Sequence, residues 1–310
     1  MITSPTVFVL GAGASMPYGF PSGAELRIEV CRGAAHGTRI FDMLSALNVP
    51  AADIERFTTA FSQSAVASID SFLAKRGKFA EIGKFAIAAA LSGKENTSTL
   101  FDDSNDDHWY RILWNALIED GEGINDLQRN KVKFVTFNYD RSLECFLHYA
   151  TTNTFGVDNA QAMAAWSHLQ IIHVYGELGK FDVTDSQGAC PYTTDVLQGP
   201  RLSIAAHGIQ IMPEHREESK VFERVRDVLA GAARICFLGF GFDPLNVERL
   251  GLASVLDWKR KNKQAVEIYA SMYQKTKTEI DKIHNKLCPN DNWHTFNTRN
   301  VMTLRESGIL

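Results

Sequence analysis

The sequence has few cysteines and no two of them close together. A zinc ribbon or another four-cysteine module needs C-x-x-C pairs, and this chain has none, so no zinc site is expected. An odd, sparse set of thiols is also typical of a reducing compartment and predicts a cytoplasmic protein. The five cysteines are Cys31, Cys145, Cys190, Cys236 and Cys288.

The sequence also lacks an excess of positive charge and a long apolar run. Its 32 Lys and Arg residues are outnumbered by 36 Asp and Glu residues, which gives a net charge of −4. Proteins that bind DNA or anionic membranes directly usually carry a basic patch. No apolar run approaches the roughly 20 residues that span a bilayer, and no basic leader precedes the first apolar stretch. We expect no membrane contact and no direct contact with nucleic acid.

Apolar runs and helical segments alternate along the chain. Runs at 7–10, 132–137, 169–175, 233–240 and 265–271 are predominantly apolar rather than alternating, as in parallel strands covered on both faces. Helices are predicted from about residue 22 and over 141–149, 214–230 and 246–259. The pattern predicts an α/β, Rossmann-like doubly wound parallel sheet in a single domain over residues 1–310.

Two segments depart from this alternation. Helical patterns at 54–75, 79–91 and 108–118 lie between the first two strands, and their total length exceeds that of a simple crossover. We therefore expect an inserted helical module over residues 35–125. Residues 176–213 are rich in Gly, Asp, Pro and Thr, and are predicted to form an irregular loop over one end of the sheet.

The first strand runs into "GAGAS", residues 11–15. Backbone N–H groups at such a turn can hold an anion near the start of the next helix. The dinucleotide fingerprint requires a third glycine where this chain has Met16, so a tight turn in an unrelated α/β protein is the alternative.

The other strands also end in glycine or polar residues. In an open parallel sheet, ligands bind beyond the carboxyl ends of the strands. Besides "GAGAS", these ends carry "FNYD" from 137, "HVYGE" from 173 and "GFGFD" from 239. Together they predict one site along this edge.

The order of these motifs resembles that of the sirtuin superfamily, and more closely its bacterial sirtuin-like NADase branch. Sirtuins carry, in order, a GAG-[IA]-S turn, a G-[IF]-P segment, a TQN-[IV]-D motif, a catalytic HG and a GTS-type loop. The insert segment "SIDSFL", residues 68–73, also resembles that branch. The matching residues here are Gly11 to Ser15, Gly19-Phe20-Pro21, Thr136 to Asp140, His173 with Gly176, and Gly239-Phe240-Gly241.

The resemblance implies that NAD⁺ is the substrate and assigns the site residues. It places Asn138 beside the nicotinamide ribose, where it orients the hydroxyls or the attacking water with support from Asp140, and it makes His173 catalytic. The implied NAD-binding residues, besides Asn138 and Asp140, are Gly11, Ala12, Gly13, Ser15, Phe20, Pro21, Gly239, Phe240 and Gly241.

Two departures from the sirtuin pattern argue against acyl-lysine chemistry. Deacylating sirtuins usually carry a four-cysteine zinc module, and an Asp-Phe-Arg follows their G-x-P where this chain has Ser22-Gly23-Ala24. In addition, Val-Tyr separates His173 from its glycine.

Each polar candidate also has a structural alternative. Asn138 or Asp140 could cap the following helix, which would leave the other free to reach the ribose. His173 could be a buried histidine with satisfied nitrogens, and Tyr175 or Glu177 could orient its ring. Asp70, a further candidate on the insert, could be a polar position on an amphipathic helix.

These residues suit the cleavage of a glycosidic bond. Nicotinamide leaves NAD⁺ without a general acid, and the ribose becomes oxocarbenium-like, so the site needs fixed ribose geometry, apolar walls and a base. The candidate walls are Phe20, Phe137, Tyr175 and Phe240.

Four hypotheses follow for the function. The first is an NAD glycohydrolase, for which the resemblance implies NAD depletion in bacterial antiviral defence. The others are an NAD-dependent deacylase, a non-catalytic NAD or ADP-ribose binder, and a dehydrogenase. Because the chain has no GxxxxGK[ST] loop and no evident sensor domain, its control is expected to come from homo-oligomers or a regulatory partner. The resemblance suggests a ring-forming, DNA-translocating ATPase.

Overall fold

The computed structural model describes residues 1–183, 189–211, 220–287 and 292–310. Its strands are β1 Thr6–Leu10, β2 Val132–Thr136, β3 Gln170–His173, β4 Lys180–Phe181, β5 Ala189–Cys190, β6 Arg234–Leu238, β7 Glu267–Ser271 and β8 Asn292–Phe296. Its helices are α1 Ala12–Ser15, α2 Gly23–Gly33, α3 Arg39–Ala46, α4 Ala51–Ser62, α5 Ile69–Lys75, α6 Ala80–Leu91, α7 Thr97–Leu100, α8 Trp109–Ile118, α9 Ser142–Phe155, α10 Asn159–Ala165, α11 Gly199–Gly208, α12 Lys220–Ala230, α13 Pro244–Leu250, α14 Leu252–Lys261, α15 Lys277–Leu287 and α16 Asn300–Ser307.

Six strands form one parallel sheet in the order β3-β2-β1-β6-β7-β8. Helices flank the sheet, and the fold is the α/β, Rossmann-like doubly wound sheet that the apolar runs predicted. Every residue of β1 is buried, as the continuous apolar run requires of a central strand covered on both faces. The apolar residues of the sheet and of the helices around it belong to one hydrophobic cluster.

The strand order places a topological switch point between β1 and β6. From β1 the chain builds outward through β2 and β3, and it then returns to the other side of β1 to begin β6. In register, Leu10 pairs with Thr136 and Leu238, and Thr136 pairs with His173. The segments that follow these residues therefore leave the sheet at the same edge, where open α/β sheets bind ligands.

The turn after β1 differs from the predicted strand, turn and long helix. The chain forms the single turn α1 and a 3₁₀ turn, Met16–Tyr18, before α2 begins. Ser22 caps α2 through a capping box with Glu25, which agrees with the predicted start near residue 22. A helix of four residues has only a small dipole, so the expected attraction of an anion to a long helix at this turn is not provided by α1.

The chain between β1 and β2 is helical and contains α2 to α8. The pattern at 54–75 forms two helices rather than one, α4 and α5, with a turn over residues 63–68. Aromatic rings in this region pack on one another, with ring centroids 4.9–6.2 Å apart. The rings are those of Phe57, Phe61, Phe72 and Phe79.

Several sequence predictions need correction. The described part of 176–213 is not wholly irregular, because it contains α11 and the paired β4 and β5. The helix predicted over 246–259 is two helices, separated where Gly251 takes a left-handed φ of 62°. The predicted start of the helix at 214 and Cys288 lie outside the described residues, and α12 is described from Lys220. No helix among the described residues is long and apolar enough to cross a membrane.

Candidate active site

The two glycine loops at the switch point pack backbone against backbone. The Gly13 N–H donates to the Gly239 carbonyl at 3.0 Å, and the Gly11 N–H donates to Leu238 O at 3.1 Å. A Cβ at Gly11 would lie 2.6 Å from Gly239 O, and a Cβ at Gly13 would lie 2.8 Å from Gly239 Cα. Gly239 itself has a φ of +57°, where L side chains are strained. These glycines therefore allow the two loops to touch.

This packing changes the interpretation of the first glycine loop, whose N–H groups were predicted to hold an anion. The N–H groups of Gly11 and Gly13 point to protein carbonyls, and the Ala14 N–H bonds back to Gly11 O at 2.8 Å. They are consequently not directed at a ligand in this structure. In the second loop, Phe240 is buried, whereas Gly241 is exposed and a Cβ there would meet open space.

Side chains from three distant segments hold the carbonyls of the first glycine loop. Asn138 Nδ2 donates to Gly11 O at 2.9 Å, and Asn300 Nδ2 donates to Gly13 O at 3.0 Å. The indole N–H of Trp109 donates to Ala14 O at 2.7 Å. The peptide planes of the turn are thereby fixed before any ligand arrives.

Asn138 is a bridge between strand ends and not a helix cap. Its second Nδ2 hydrogen bond, to Ser15 Oγ, is also 2.9 Å long, so both amide hydrogens are engaged within the protein. Its backbone N–H donates to Thr136 Oγ1 at 3.0 Å. Oδ1 is therefore the atom that this half-buried side chain can present to a ribose hydroxyl or a water.

Asp140, the other cap candidate, lies just before Arg141, the N-cap residue of α9, and binds the first residue of that helix. Its Oδ1 accepts the N–H of Ser142 at 3.1 Å and also a hydrogen bond from the Ser142 hydroxyl, at the start of α9. Burial raises the pKa of Asp140, and hydrogen bonds from Ser142 and Ser15 counteract this rise in part. The buried Ser15 side chain hydrogen-bonds to both Asp140 and Asn138, so Asp140 is linked to Asn138 through Ser15.

His173 ends β3 with both ring nitrogens bound within the protein. Nδ1 lies 3.0 Å from the backbone oxygen of Asn138, and Nε2 lies 2.7 Å from Glu144 Oε1 on α9. The ring and the Glu144 side chain are only 9% and 17% exposed. Burial disfavours the charged ring, but Glu144 and then Glu177 outweigh it and raise the pKa of His173 to about 9.

The predicted aromatic walls lie together at this edge. The Phe137 ring is 5.0 Å from that of Phe240 and 5.7 Å from that of Tyr175, measured between centroids. Phe20 is buried after Gly19, and Pro21 is partly buried beside it. Phe137, Tyr175 and Phe240 thus form one buried aromatic cluster beside Asn138 and His173.

Asp70 of the insert reaches the same edge. It accepts a hydrogen bond from the hydroxyl of Tyr139, the residue after Asn138, and burial raises the pKa of Asp70. Beside this pair, Arg249 donates to the Tyr175 hydroxyl at 2.7 Å, and that hydroxyl lies 2.5 Å from Asn246 Oδ1. The insert thus contacts the loop after β2 through a partly buried polar side chain, and Asp70 is not simply on a solvated helix face.

A buried ion pair anchors the segment that follows His173. The fully buried guanidinium of Arg141 binds both carboxylate oxygens of Glu95 and the carbonyls of four residues, Gly179, Lys180, Cys190 and Pro191. Gly176 meets Gly208 so closely that a Cβ would overlap the Gly208 oxygen. These contacts fix the segment that carries Glu177, whose carboxylate lies near the ring of His173.

One group of potential metal ligands occurs within the described ranges, namely Glu144, His173 and Glu177, whose ligand atoms lie within 4.8 Å of one another. The group contains no cysteine. Cys31, Cys145, Cys190 and Cys236 are free thiols.

Two grooves lie away from this edge. They have volumes of about 840 Å³ and 490 Å³, and they sit where the chain enters β6 and β7, beside Ala233, Lys259 and Ala265. That is the amino end of the sheet, where ligands of open α/β folds do not bind. The candidate site is therefore defined by the polar groups that converge at the carboxyl ends of the strands, and not by these two grooves.

Sequence reasoning missed several contributors to the site. Trp109 and Asn300 act across 95 and 287 residues of sequence, so no local pattern signals them. In the sequence, three more contributors resemble ordinary charged or polar positions in the first turns of helices or on their surfaces, namely Glu144, Asn246 and Arg249. For Glu144 one sequence signal existed. It is an acidic residue in the first turn of the helix that follows "FNYD", so it had to lie near that motif.

Comparison with known proteins yields likenesses among solved structures alone. No protein-family model matches the chain, and no curated protein matches it. Among solved structures, it is similar to a crystal structure of a Sir2 homologue in complex with NAD. The two share 12% sequence identity, the alignment covers 98% of this chain and 88% of that chain, and the TM-score is 0.44. At this level the likeness does not bear on activity.

Proposed function

We propose that this protein is an NAD glycohydrolase that cleaves NAD⁺ to nicotinamide and ADP-ribose. The observation that carries the proposal is the link between the strand ends: Asn138 holds the first glycine loop through its side chain and His173 through its backbone. Through this link, residues that the motif order assigned to NAD form one connected group, which supports their acting in a single site.

The reaction needs few groups, and this edge offers a side chain to orient the ribose, apolar rings and carboxylates, while the proton that water releases goes to solvent. The bond from the ribose C1′ to nicotinamide breaks with its electron pair going to nicotinamide, and water then bonds to C1′ and releases a proton. Asn138 Oδ1 orients the ribose hydroxyls or the water. Phe137, Tyr175 and Phe240 enclose the nicotinamide, and the carboxylates of Glu144 and Glu177 favour a cationic ribose nearby.

A second function has one observation in its favour. Both nitrogens of His173 are bound within the protein, which is what a satisfied buried histidine in a non-catalytic NAD or ADP-ribose binder would show. In such a protein NAD⁺ would bind and remain intact. The deacylase hypothesis gains no comparable support from the site.

Incubation with NAD⁺ alone separates these functions. The purified protein is mixed with NAD⁺ without any acylated peptide, and nicotinamide and ADP-ribose are quantified by chromatography. We expect equal amounts of both products. A ligand-induced rise in melting temperature without nicotinamide would instead favour the binder, and release that requires an acylated peptide would favour the deacylase.

The proposed activity implies restraint, because depletion of NAD⁺ is toxic to a cell. We propose that the protein acts in bacterial defence against phage as a homo-oligomer with a separate regulatory protein. The resemblance of its motifs suggests a ring-forming, DNA-translocating ATPase as that partner, and this would also account for a net charge of −4 in the NAD-cleaving subunit.

A further inference from the structure

The ring of His173 is held between two oxygen atoms that accept hydrogen bonds. The backbone oxygen of Asn138, 3.0 Å from Nδ1, is an acceptor only, so Nδ1 carries a hydrogen. Glu144 Oε1 lies 2.7 Å from Nε2, a distance that also requires a proton between the two atoms. In this arrangement neither ring nitrogen has a lone pair available to a water molecule.

The groups around the ring favour that protonated state. Glu144 faces it from α9, and Glu177 faces it from the segment after β3. A carboxylate oxygen of each residue and a ring nitrogen of His173 lie within 4.8 Å of one another. The third neighbour, the loop after β2, contributes a carbonyl dipole through Asn138 O. Burial lowers the pKa of His173, but the two carboxylates raise it beyond this effect, to about 9.

We infer that Glu144 is a positioning residue that orients the His173 ring and retains a proton on Nε2, so that His173 becomes a base only when that proton leaves. The kinetic part of this inference rests on the proposed function, whereas the state of the ring does not. With both ring nitrogens bound to oxygen atoms of the protein, the unliganded ring offers no lone pair to a water molecule.

Replacement of Glu144 by Gln should reverse this preference. The Gln amide can donate to an unprotonated Nε2, so the neutral ring with a hydrogen on Nδ1 becomes the favoured form. The pKa of His173 should then fall by about two units, toward the ordinary value for histidine. Under the proposed function, the rise of nicotinamide release with pH should move to lower pH by a similar amount.

The test is a histidine titration by NMR in the absence of NAD⁺. The full chain is labelled with ¹⁵N-histidine, and the His173 signals are assigned by their loss in His173→Gln. We expect wild-type His173 to show two protonated nitrogens at pH 7 and to titrate near pH 9, and Glu144→Gln to titrate near pH 7. Glu144→Asp, which retains the carboxylate, should stay closer to wild type.

Glu177→Gln is the matched control, because Glu177 acts on the ring by its charge without a direct hydrogen bond. It should lower the pKa less than Glu144→Gln does. The inference is overturned if wild-type His173 carries one proton at pH 7, if Glu144→Gln leaves the titration unchanged, or if Glu177→Gln has an equal effect. Should Glu144→Gln fail to fold, the wild-type and Glu144→Asp titrations decide. Failure of the proposed function alone would appear as absent nicotinamide release with these titrations as expected.

Discussion

Replacement of Asn138 by Ala tests whether this side chain does more than hold the fold together. The substitution removes the two hydrogen bonds from Nδ2, to Gly11 O and Ser15 Oγ, both 2.9 Å long. Each is worth about 0.5–1.5 kcal/mol net, and Asn138 is only half-buried, so water can replace part of the loss. We expect the free energy of unfolding to fall by about 2 kcal/mol, somewhat more than for loss of a helix cap.

Turnover should fall far more than this loss of stability explains. Without Oδ1 the ribose or the water is not oriented, and we expect nicotinamide release to drop by at least about 10²-fold. Urea unfolding, ligand-induced melting shifts and turnover at saturating NAD⁺ are measured on the same preparation. The variant should remain folded and still bind NAD⁺.

Asn130→Ala is the matched control. Asn130 is a buried asparagine just before β2, at the other end of that strand, with three hydrogen bonds of 2.8–3.1 Å to backbone atoms. Its replacement should cost at least as much stability as Asn138→Ala and leave turnover near wild type. The reasoning fails if Asn138→Ala turns over normally, or if Asn130→Ala loses turnover to the same extent.

Three further predictions concern pH, metal and assembly. Because the pKa of folded His173 is about 9 and that of an unfolded histidine is near 6.5, the ring stabilises the fold fully below about pH 6.5, and this contribution, up to about 3 kcal/mol, is lost as pH rises to about 9. Urea unfolding at pH 6.5 and 9 should show a larger loss for wild type than for Glu144→Gln, and an equal loss would contradict this assignment. Elemental analysis should find no stoichiometric zinc, and chelators should leave the fold intact, whereas one zinc per chain would reject that prediction. Light scattering should show a homo-oligomer, and a monomer that is fully active at dilute concentration would count against control by assembly.

The sequence predicted which edge of the sheet carries the candidate site, but it predicted few of the side-chain contacts made there. Buried parallel strands need mainly apolar runs, so β1, β2, β3, β6 and β7 could be predicted, and their polar ends followed directly. The edge strand β8, "NWHTF", was missed because its five residues mix polar and apolar side chains. The two-residue strands β4 and β5 are too short to leave a periodic signal.

Individual side-chain roles depended on tertiary contacts. Asn138 and Asp140 both fit a helix cap in sequence, and only the structure shows that Asp140 binds the first residue of α9 while Asn138 reaches back to the first glycine loop. The glycines of "GAGAS" were expected to face an anion, yet Gly13 lies against Gly239, 226 residues farther along the chain. Such a contact cannot be read from local spacing.

The central claim is that water cleaves NAD⁺ at this edge of the sheet. The most direct test incubates the protein with NAD⁺ in ¹⁸O-labelled water and analyses the products by mass spectrometry. We predict equal amounts of nicotinamide and ADP-ribose, with one ¹⁸O at C1′ of the ribose and almost no product from Asn138→Ala. Intact NAD⁺ after prolonged incubation with a protein that demonstrably binds it would contradict the account.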